Sequence, residues 1–191
     1  GTQTAQALAL YLGLVPEGKE QLVADKLREV VAGNNYFLDF GLLGSKTVPA
    51  MLTKYGYIED AMKMITKTEA PSWGYWVETM GYSTLPETWT LSPKFADASL
   101  NHVFMGDVSA WMMNQLAGIN HDDSAPGFRH IRITPHFVKE LDWAKGEYHS
   151  VRGRIASEWK REGDQVMLTV TIPADCSADI VVGDQTETVS A

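Results

Sequence analysis

The sequence predicts an α+β chain, a succession of helical hairpins followed by a small antiparallel β-sandwich-like part. Three observations predict it. Apolar residues recur at helical spacing through the first part of the chain, they alternate with polar ones after about residue 126, and no strand pattern separates the helical runs. The boundary predicted from this change in character sets residues 1–125 against residues 126–191.

In the first part, Ala5, Leu8, Tyr11, Leu12 and Val15 fall on one helix face, and Gly13 with Pro16 stops that helix. Leu22, Val23, Leu27, Val30 and Val31 share a side of a second helix, closed by the C-cap signal Gly33-Asn34-Asn35. A Gly-bearing loop is expected through Phe40-Gly41-Leu42-Leu43-Gly44. Val48, Met51, Leu52 and Tyr55 then mark a third helix ended by Gly56, and Ile58, Ala61, Met62 and Ile65 a fourth. Pro71-Ser72 starts a short fifth helix reaching about Met80. The sixth carries Val108, Trp111, Met112 and Leu116, with Gly118 at its end.

In the second part, His130 to Thr134 alternates, and so does Val166 to Ile172. Val166, Leu168, Val170 and Ile172 point one way while Thr169 and Thr171 point the other, the pattern of a half-buried antiparallel strand. Between them, Tyr148 to Trp159 is interrupted by Gly153. Ala178 to Val182 and Thr186 to Val189 give two further short strands around Gly183-Asp184.

Composition removes several classes of function. With 191 residues and 45% apolar content the chain has ample material for a packed core, which excludes low-complexity disorder and collagen-like repeats. No stretch approaches the ~18 uncharged apolar residues of a membrane span. The net charge of −8 is spread evenly: residues 1–120 and residues 121–191 each carry 8 basic and 12 acidic side chains. A face for nucleic-acid backbones would need a basic cluster, so no nucleic-acid partner is expected. The single Cys176 excludes an intrachain disulfide and a cysteine-based zinc site, and leaves the compartment open. The chain opens Gly1-Thr2-Gln3-Thr4 already in helical register without an initiator Met. That pattern fits a processed N-terminus or, as expected from the helical register at residue 1, a segment of a longer protein.

The segment Pro71 to Phe95 is the most unusual. It holds three of the six tryptophans, Trp73, Trp76 and Trp89, together with Tyr75, Tyr82 and Phe95, and Gly81 to Leu100 shows no helical period. Aromatic rings on a loop offer flat apolar faces with a polar edge, suited to a sugar; they serve equally to seal a loop onto a core. Glu87, between Pro86 and Trp89, is a carboxylate placed for general acid or base work, or a solvated loop residue. Glu78 is its rival, on the polar face of the short helix. Ser99 or Asn101 caps the sixth helix and projects His102 from its first turn, as a pocket donor or as a packing residue. His121-Asp122-Asp123 lacks a further ligand nearby, so neither a metal nor a cofactor is expected. Gly41 and Gly44 form no phosphate-binding fingerprint, and no GxSxG elbow occurs.

Together these residues resemble the C-terminal portion of the family 78 glycoside hydrolases, the α-L-rhamnosidases. The resemblance runs through TQTAQALALYLGLVPE, LLGSKTVPAMLTKYGYIEDA, PSWGYWVE, TLPETW, SLNHVFMGDVSAWMMNQLAGI, PGFRHIRITPHF and the strand text from Glu147 to Trp159. It implies the last helices of an (α/α)6 barrel, then a C-terminal β-sandwich domain. It also implies an inverting hydrolysis of terminal α-L-rhamnosyl residues, with Glu87 as general base activating water and His102 lining the rhamnose pocket. Trp89 and Trp73 would be pocket walls, and a rhamnose-containing oligosaccharide or glycoside the partner.

The general acid of the family lies upstream of any text in this chain, so the resemblance implies a segment inactive by itself. Many members carry Glu-Arg-Trp where this chain has Glu87-Thr88-Trp89. The other readings are a carbohydrate-binding or structural segment of an inactive relative, and an (α/α)6 glycosidase of other sugar specificity. Half a helical ring would leave apolar faces to cover, which makes a homodimer or domain-swapped form a further expectation.

Overall fold

The computed structural model describes residues 1–90 and 97–191, which form two compact units, Gly1–Ser109 and Ala110–Ala191. Phe95 of the aromatic segment lies outside the described residues.

The first unit is helical. α1 (Gln3–Tyr11) begins where Thr2 Oγ1 accepts the Ala5 amide at 3.1 Å, satisfying one of the donors a helix start leaves open. α2 (Glu20–Gly33), α3 (Leu42–Lys54) and α4 (Ile58–Thr66) follow; α1 packs on α2 and α3, and α3 on α4.

Three of these helices end in the same way. Past α1, Gly13 (φ 64°) and Leu14 donate to the carbonyls of Leu10 and Ala9; past α2, Asn35 (φ 50°) and Tyr36 donate to Ala32 and Val31. Past α3, Gly56 (φ 88°) and Tyr57 donate to Thr53 and Leu52. Each is a left-handed cap that satisfies two orphan carbonyls, which is why Gly or Asn stands there. α3 starts at Leu42, inside the stretch expected to be loop. Gly44 permits this, because a Cβ there would lie 2.3 Å from the Phe40 Cβ and 3.0 Å from Thr4 Oγ1. Of the apolar side assigned to α2, Leu27 and Val31 are buried as expected, but Leu22 is 65% exposed and Ala24 completes the buried face.

The fully buried Gln3 ties the α2–α3 connection to α1. Its Nε2 donates to the Phe37 carbonyl at 2.9 Å and its Oε1 accepts the Asp39 amide at 3.1 Å. After the fourth helix come a π-type turn (Tyr75–Thr79), a 3-10 turn (Val103–Gly106), α5 (Asp107–Trp111) and a second π-type turn (Met112–Leu116).

The second unit holds two sheets. One has strand order β1-β2-β6-β7, with β1 (Ile119–His121), β2 (His130–Ile133), β6 (Ser177–Val182) and β7 (Gln185–Ser190). The other is the meander β3 (Trp143–Ser150), β4 (Gly153–Glu162) and β5 (Gln165–Thr171). Ile119, Ile131, Ile133 and Ala178 of the first sheet share one core cluster with Ile155 of the second and Cys176. The buried Trp159 donates its indole N–H to the Leu116 carbonyl at 2.7 Å. β3 crosses so close to the turn before it that a Cβ at Gly146 would lie 2.5 Å from the Ala117 Cβ.

The expectation of an entirely antiparallel second part is corrected at one place: β2 and β6 run parallel, with His130 opposite Ser177. The whole β3–β4–β5 meander lies between them in the chain. A hairpin imposes antiparallel pairing, whereas a connection that long allows the parallel crossover. Side chains reinforce this pairing. His130 Nδ1 lies 2.7 Å from Ser177 Oγ and its Nε2 3.1 Å from Asp179 Oδ2, while Thr188 Oγ1 on β7 donates to Asp179 Oδ1 at 2.7 Å. The Thr188 hydroxyl, and then His130, hold the Asp179 carboxyl below the usual carboxylate range.

Two outcomes follow from these contacts. Gln3→Leu leaves a buried carbonyl and amide unpaired and should cost about 2–4 kcal/mol in urea unfolding, at roughly 1–3 kcal/mol per orphaned group. A carboxyl whose pKa is held down in the folded state adds stability that is present above its unfolded pKa and lost as pH falls through the folded one. The second unit should therefore lose stability on acidification below about pH 4. In thermal melts at stepped pH, Asp179→Asn should flatten that acid limb.

Candidate functional site

The loop of interest grows from a short turn. Ser72 Oγ accepts the Tyr75 amide at 2.9 Å and donates to the Lys67 carbonyl at 2.6 Å, starting the Tyr75–Thr79 turn. Gly74 lets this turn lie against the end of α4, because a Cβ there would be 2.3 Å from the Lys67 carbonyl oxygen. The turn buries Trp73 (4% exposed) and Trp76 (1%) and leaves Glu78 on the outside.

Trp89 completes a cluster on these rings. Its indole stacks on Trp76 at 4.4 Å between centroids, meets Trp73 edge-on at 5.3 Å and Phe40 edge-on at 5.9 Å. Its N–H donates to the Phe40 carbonyl, and the Trp73 N–H donates to the Met105 carbonyl at 3.0 Å. The rings thus seal the loop onto the helices, and Trp89 keeps a half-exposed edge. Trp76, Trp89, Tyr75, Tyr82 and Met80 line a cavity of about 150 Å³ on the open side of the cluster.

The two polar motifs meet across this loop. The Glu87 amide donates to the Ser99 carbonyl at 2.8 Å, and the His102 amide to the Leu85 carbonyl at 2.8 Å. Thr84 Oγ1 donates to the Leu100 carbonyl at 2.7 Å, and the Ser99 amide to Glu87 Oε2 at 3.0 Å. Residues 84–87 and 99–102 therefore run side by side, and Glu87 and His102 stand on adjoining segments, both half-buried.

His102 is itself the N-cap of the 3-10 turn; it does not project from a first helical turn capped by Ser99 or Asn101. Its Nδ1 accepts the Phe104 amide at 3.3 Å, and its ring meets Phe104 edge-on at 5.5 Å. Ser99 Oγ instead lies 3.2 Å from the Asn101 amide. An accepting Nδ1 carries no proton, so the neutral ring holds its proton on Nε2 as a donor.

Of the sequence-predicted residues, Glu87 and His102 lie on this joined pair of segments, Trp89 follows two residues after Glu87, and Trp73 backs Trp89 from the interior. A second cavity of about 350 Å³ is lined by Gly81, Tyr82, Ser83, Thr84, Pro86 and Leu100. Neither cavity is lined by Glu87 or His102. The sequence reading missed Phe40, whose carbonyl and ring both hold Trp89; lying well before the aromatic segment, it carries no sequence signal. His121, the last residue of β1, has its Nε2 3.0 Å from Asp123 Oδ1, and both side chains are exposed. Among the described residues no group of three or more His, Cys, Asp or Glu gathers as a metal site, and no helix is long and apolar enough to cross a membrane.

Comparison with known families and structures bears on this geometry. Residues 1–116 match the bacterial alpha-L-rhamnosidase 6 hairpin glycosidase domain, and residues 118–191 the bacterial alpha-L-rhamnosidase C-terminal domain. An alpha-L-rhamnosidase of Alteromonas sp. is 28% identical over 187 residues, covering 94% of this chain and 20% of its own length. The Streptomyces avermitilis alpha-L-rhamnosidase solved with L-rhamnose superposes with a TM-score of 0.86 at 28% identity, over 94% of this chain and 18% of that one. The alpha-L-rhamnosidase of Aspergillus terreus gives 0.89 at 28%, over 98% and 22%. The chain spans about a fifth of the length of these relatives.

The ring cluster has a measurable strength. Trp89→Phe keeps the stack but leaves the Phe40 carbonyl without its donor, and should cost about 1–2 kcal/mol in chemical unfolding. Trp89→Ala, which also empties the cluster, should cost about 3 kcal/mol or more.

Proposed function

This chain belongs to the bacterial α-L-rhamnosidase family, and from that premise we propose that it is the C-terminal part of an exo-acting, inverting α-L-rhamnosidase. On this reading its helices are the last hairpins of an (α/α)6 barrel and its strands a C-terminal β-sandwich. The observation that carries the reading is the joining of residues 84–87 to residues 99–102, which puts a carboxylate and an imidazole on adjoining segments, with Trp89 two residues beyond the carboxylate.

The chemistry assigns each group one task. Glu87 takes a proton from water as the water oxygen bonds the anomeric carbon from the face opposite the leaving group. The glycosidic bond breaks with its electron pair moving to the leaving oxygen, which a second carboxyl protonates. Inversion requires those carboxyls about 6.5–9.5 Å apart, leaving room for the water. His102, with its proton on Nε2, donates to a sugar hydroxyl, and the half-exposed Trp89 offers a ring edge and face to the apolar side of the sugar. Trp73 acts through Trp89, which it backs. The second carboxyl is expected from residues outside this chain. Those residues would also supply the walls that bring Glu87 and His102 into an enclosed pocket.

In the full-length protein, Glu87→Gln should lower kcat by about 10²–10⁴-fold, the range for loss of a general base, with KM little changed. The 191-residue chain alone should give no turnover of an aryl α-L-rhamnoside. A near-normal rate in the variant removes Glu87 from the mechanism, and turnover by the isolated chain removes the need for an outside acid.

A further inference from the structure

In a regular antiparallel pair, two residues facing each other in a hydrogen-bonded position exchange both backbone bonds, N–H to carbonyl in each direction. Glu87 and Ser99 depart from that pattern. The Glu87 amide donates to the Ser99 carbonyl at 2.8 Å, but the Ser99 amide donates to the Glu87 side chain, to Oε2 at 3.0 Å. The carboxylate has folded back along its own segment and stands in for its own carbonyl. Its orientation is therefore set by the neighbouring backbone.

That neighbouring backbone is held in turn by Thr84. Its Oγ1 donates to the Leu100 carbonyl at 2.7 Å, between Ser99 and His102, while the His102 amide donates to the Leu85 carbonyl. Among the described residues, Thr84 and Glu87 are the two side chains that hydrogen-bond from one segment to the other. On the reading above Thr84 has no task at the sugar. Its hydroxyl adds a side-chain tie, between Ser99 and His102, to the two backbone bonds that hold these segments together.

We propose that Thr84 and the Ser99 amide form a clamp that positions Glu87, holding Oε2 so that Oε1 is the oxygen that receives the proton of the attacking water. The inference rests on the base role proposed for Glu87 and adds Thr84 as a positioning residue. Among the described residues Oε1 has no hydrogen-bond donor and Oε2 has one. The two oxygens of a free carboxylate are equivalent; here one is already committed.

Three variants in the full-length protein and one measurement on this chain test the clamp. Thr84→Val keeps the shape and removes the donor; Thr84→Ser restores it. The expected result is that Thr84→Val lowers kcat by at least about tenfold, given how steeply rate falls with misplacement of a reacting group. The melting temperature should stay unchanged, and Thr84→Ser should return most of the rate. In the 191-residue chain, the Ser99 amide should exchange with solvent at least about tenfold faster in Thr84→Val than in the unaltered chain.

Normal kcat in Thr84→Val, or equal loss in both Thr84 variants, overturns the clamp, as does a Ser99 amide whose exchange does not respond. Glu87→Gln run alongside separates the two readings. If Glu87→Gln is inactive while Thr84→Val is normal, only the clamp fails. If Glu87→Gln is active, the base role fails and the clamp with it.

Discussion

The packing of Trp89 against Phe40, Trp73 and Trp76 is the contact on which the candidate site depends. Among the described residues, the stretch around Glu87 has no regular helix or sheet to position it, so its place comes from side chains. A large ring supplies much contact area for few frozen torsions, and the edge-on and stacked geometries found here are the ones its quadrupole favours. The indole N–H adds direction, because it reaches the Phe40 carbonyl only when the ring lies in this slot. Phe40 in turn sits against Gly44, the point where α3 can start early. The site loop is thus anchored to the same junction that joins α1 and α3, and Gln3 fixes that junction from the other side.

With the loop anchored, its polar atoms need few contacts to be oriented. Four hydrogen bonds join residues 84–87 to residues 99–102, two between backbone groups and two using side chains. His102 spends Nδ1 on the Phe104 amide and Glu87 spends Oε2 on the Ser99 amide. Among the described residues each therefore has one atom left uncommitted, Nε2 on the imidazole and Oε1 on the carboxylate. That pairing is what the proposed hydrolysis needs from this end of a pocket. The second unit is built differently, from continuous ladders and one apolar cluster, and its polar strut His130–Asp179–Thr188 serves the parallel β2–β6 pairing.

Much of the local structure was legible. The stops at Gly13, Asn35 and Gly56 could be read because a left-handed residue after a helix is a steric requirement that few residue types meet. The alternation in β5 could be read because its two faces differ in environment, and its burial alternates residue by residue. Leu22 could not be placed, because a helix periodicity gives a stripe and not its edges, and the small Ala24 proved to be the closer-packed residue. β1 is three residues long and carries no period. The direction of β2 against β6 was also hidden, since it depends on a connection through a whole sheet.

The same division holds for the site. The sequence by itself determined which residue types were available: the clustered tryptophans, Glu87 in its Pro-Glu-Thr-Trp setting and His102 after Ser99-Leu100-Asn101. It also carried, through segments in a specific order, the resemblance to rhamnosidases that the family match supports. Only the tertiary structure decided that Trp73 and Trp76 are interior while Trp89 keeps an edge, that His102 is a cap, and that Glu87 leans on the Ser99 amide. For Trp89 and Glu87 the physical reason is that these are contacts across 49 and 12 residues of chain, while the His102 cap depends on the local turn that brings the Phe104 amide back to its ring. Local spacing encodes periodicity and backbone preference, while the slot of the Trp89 ring and the choice of the Glu87 carboxylate oxygen are made by the distant carbonyl or amide that arrives beside them.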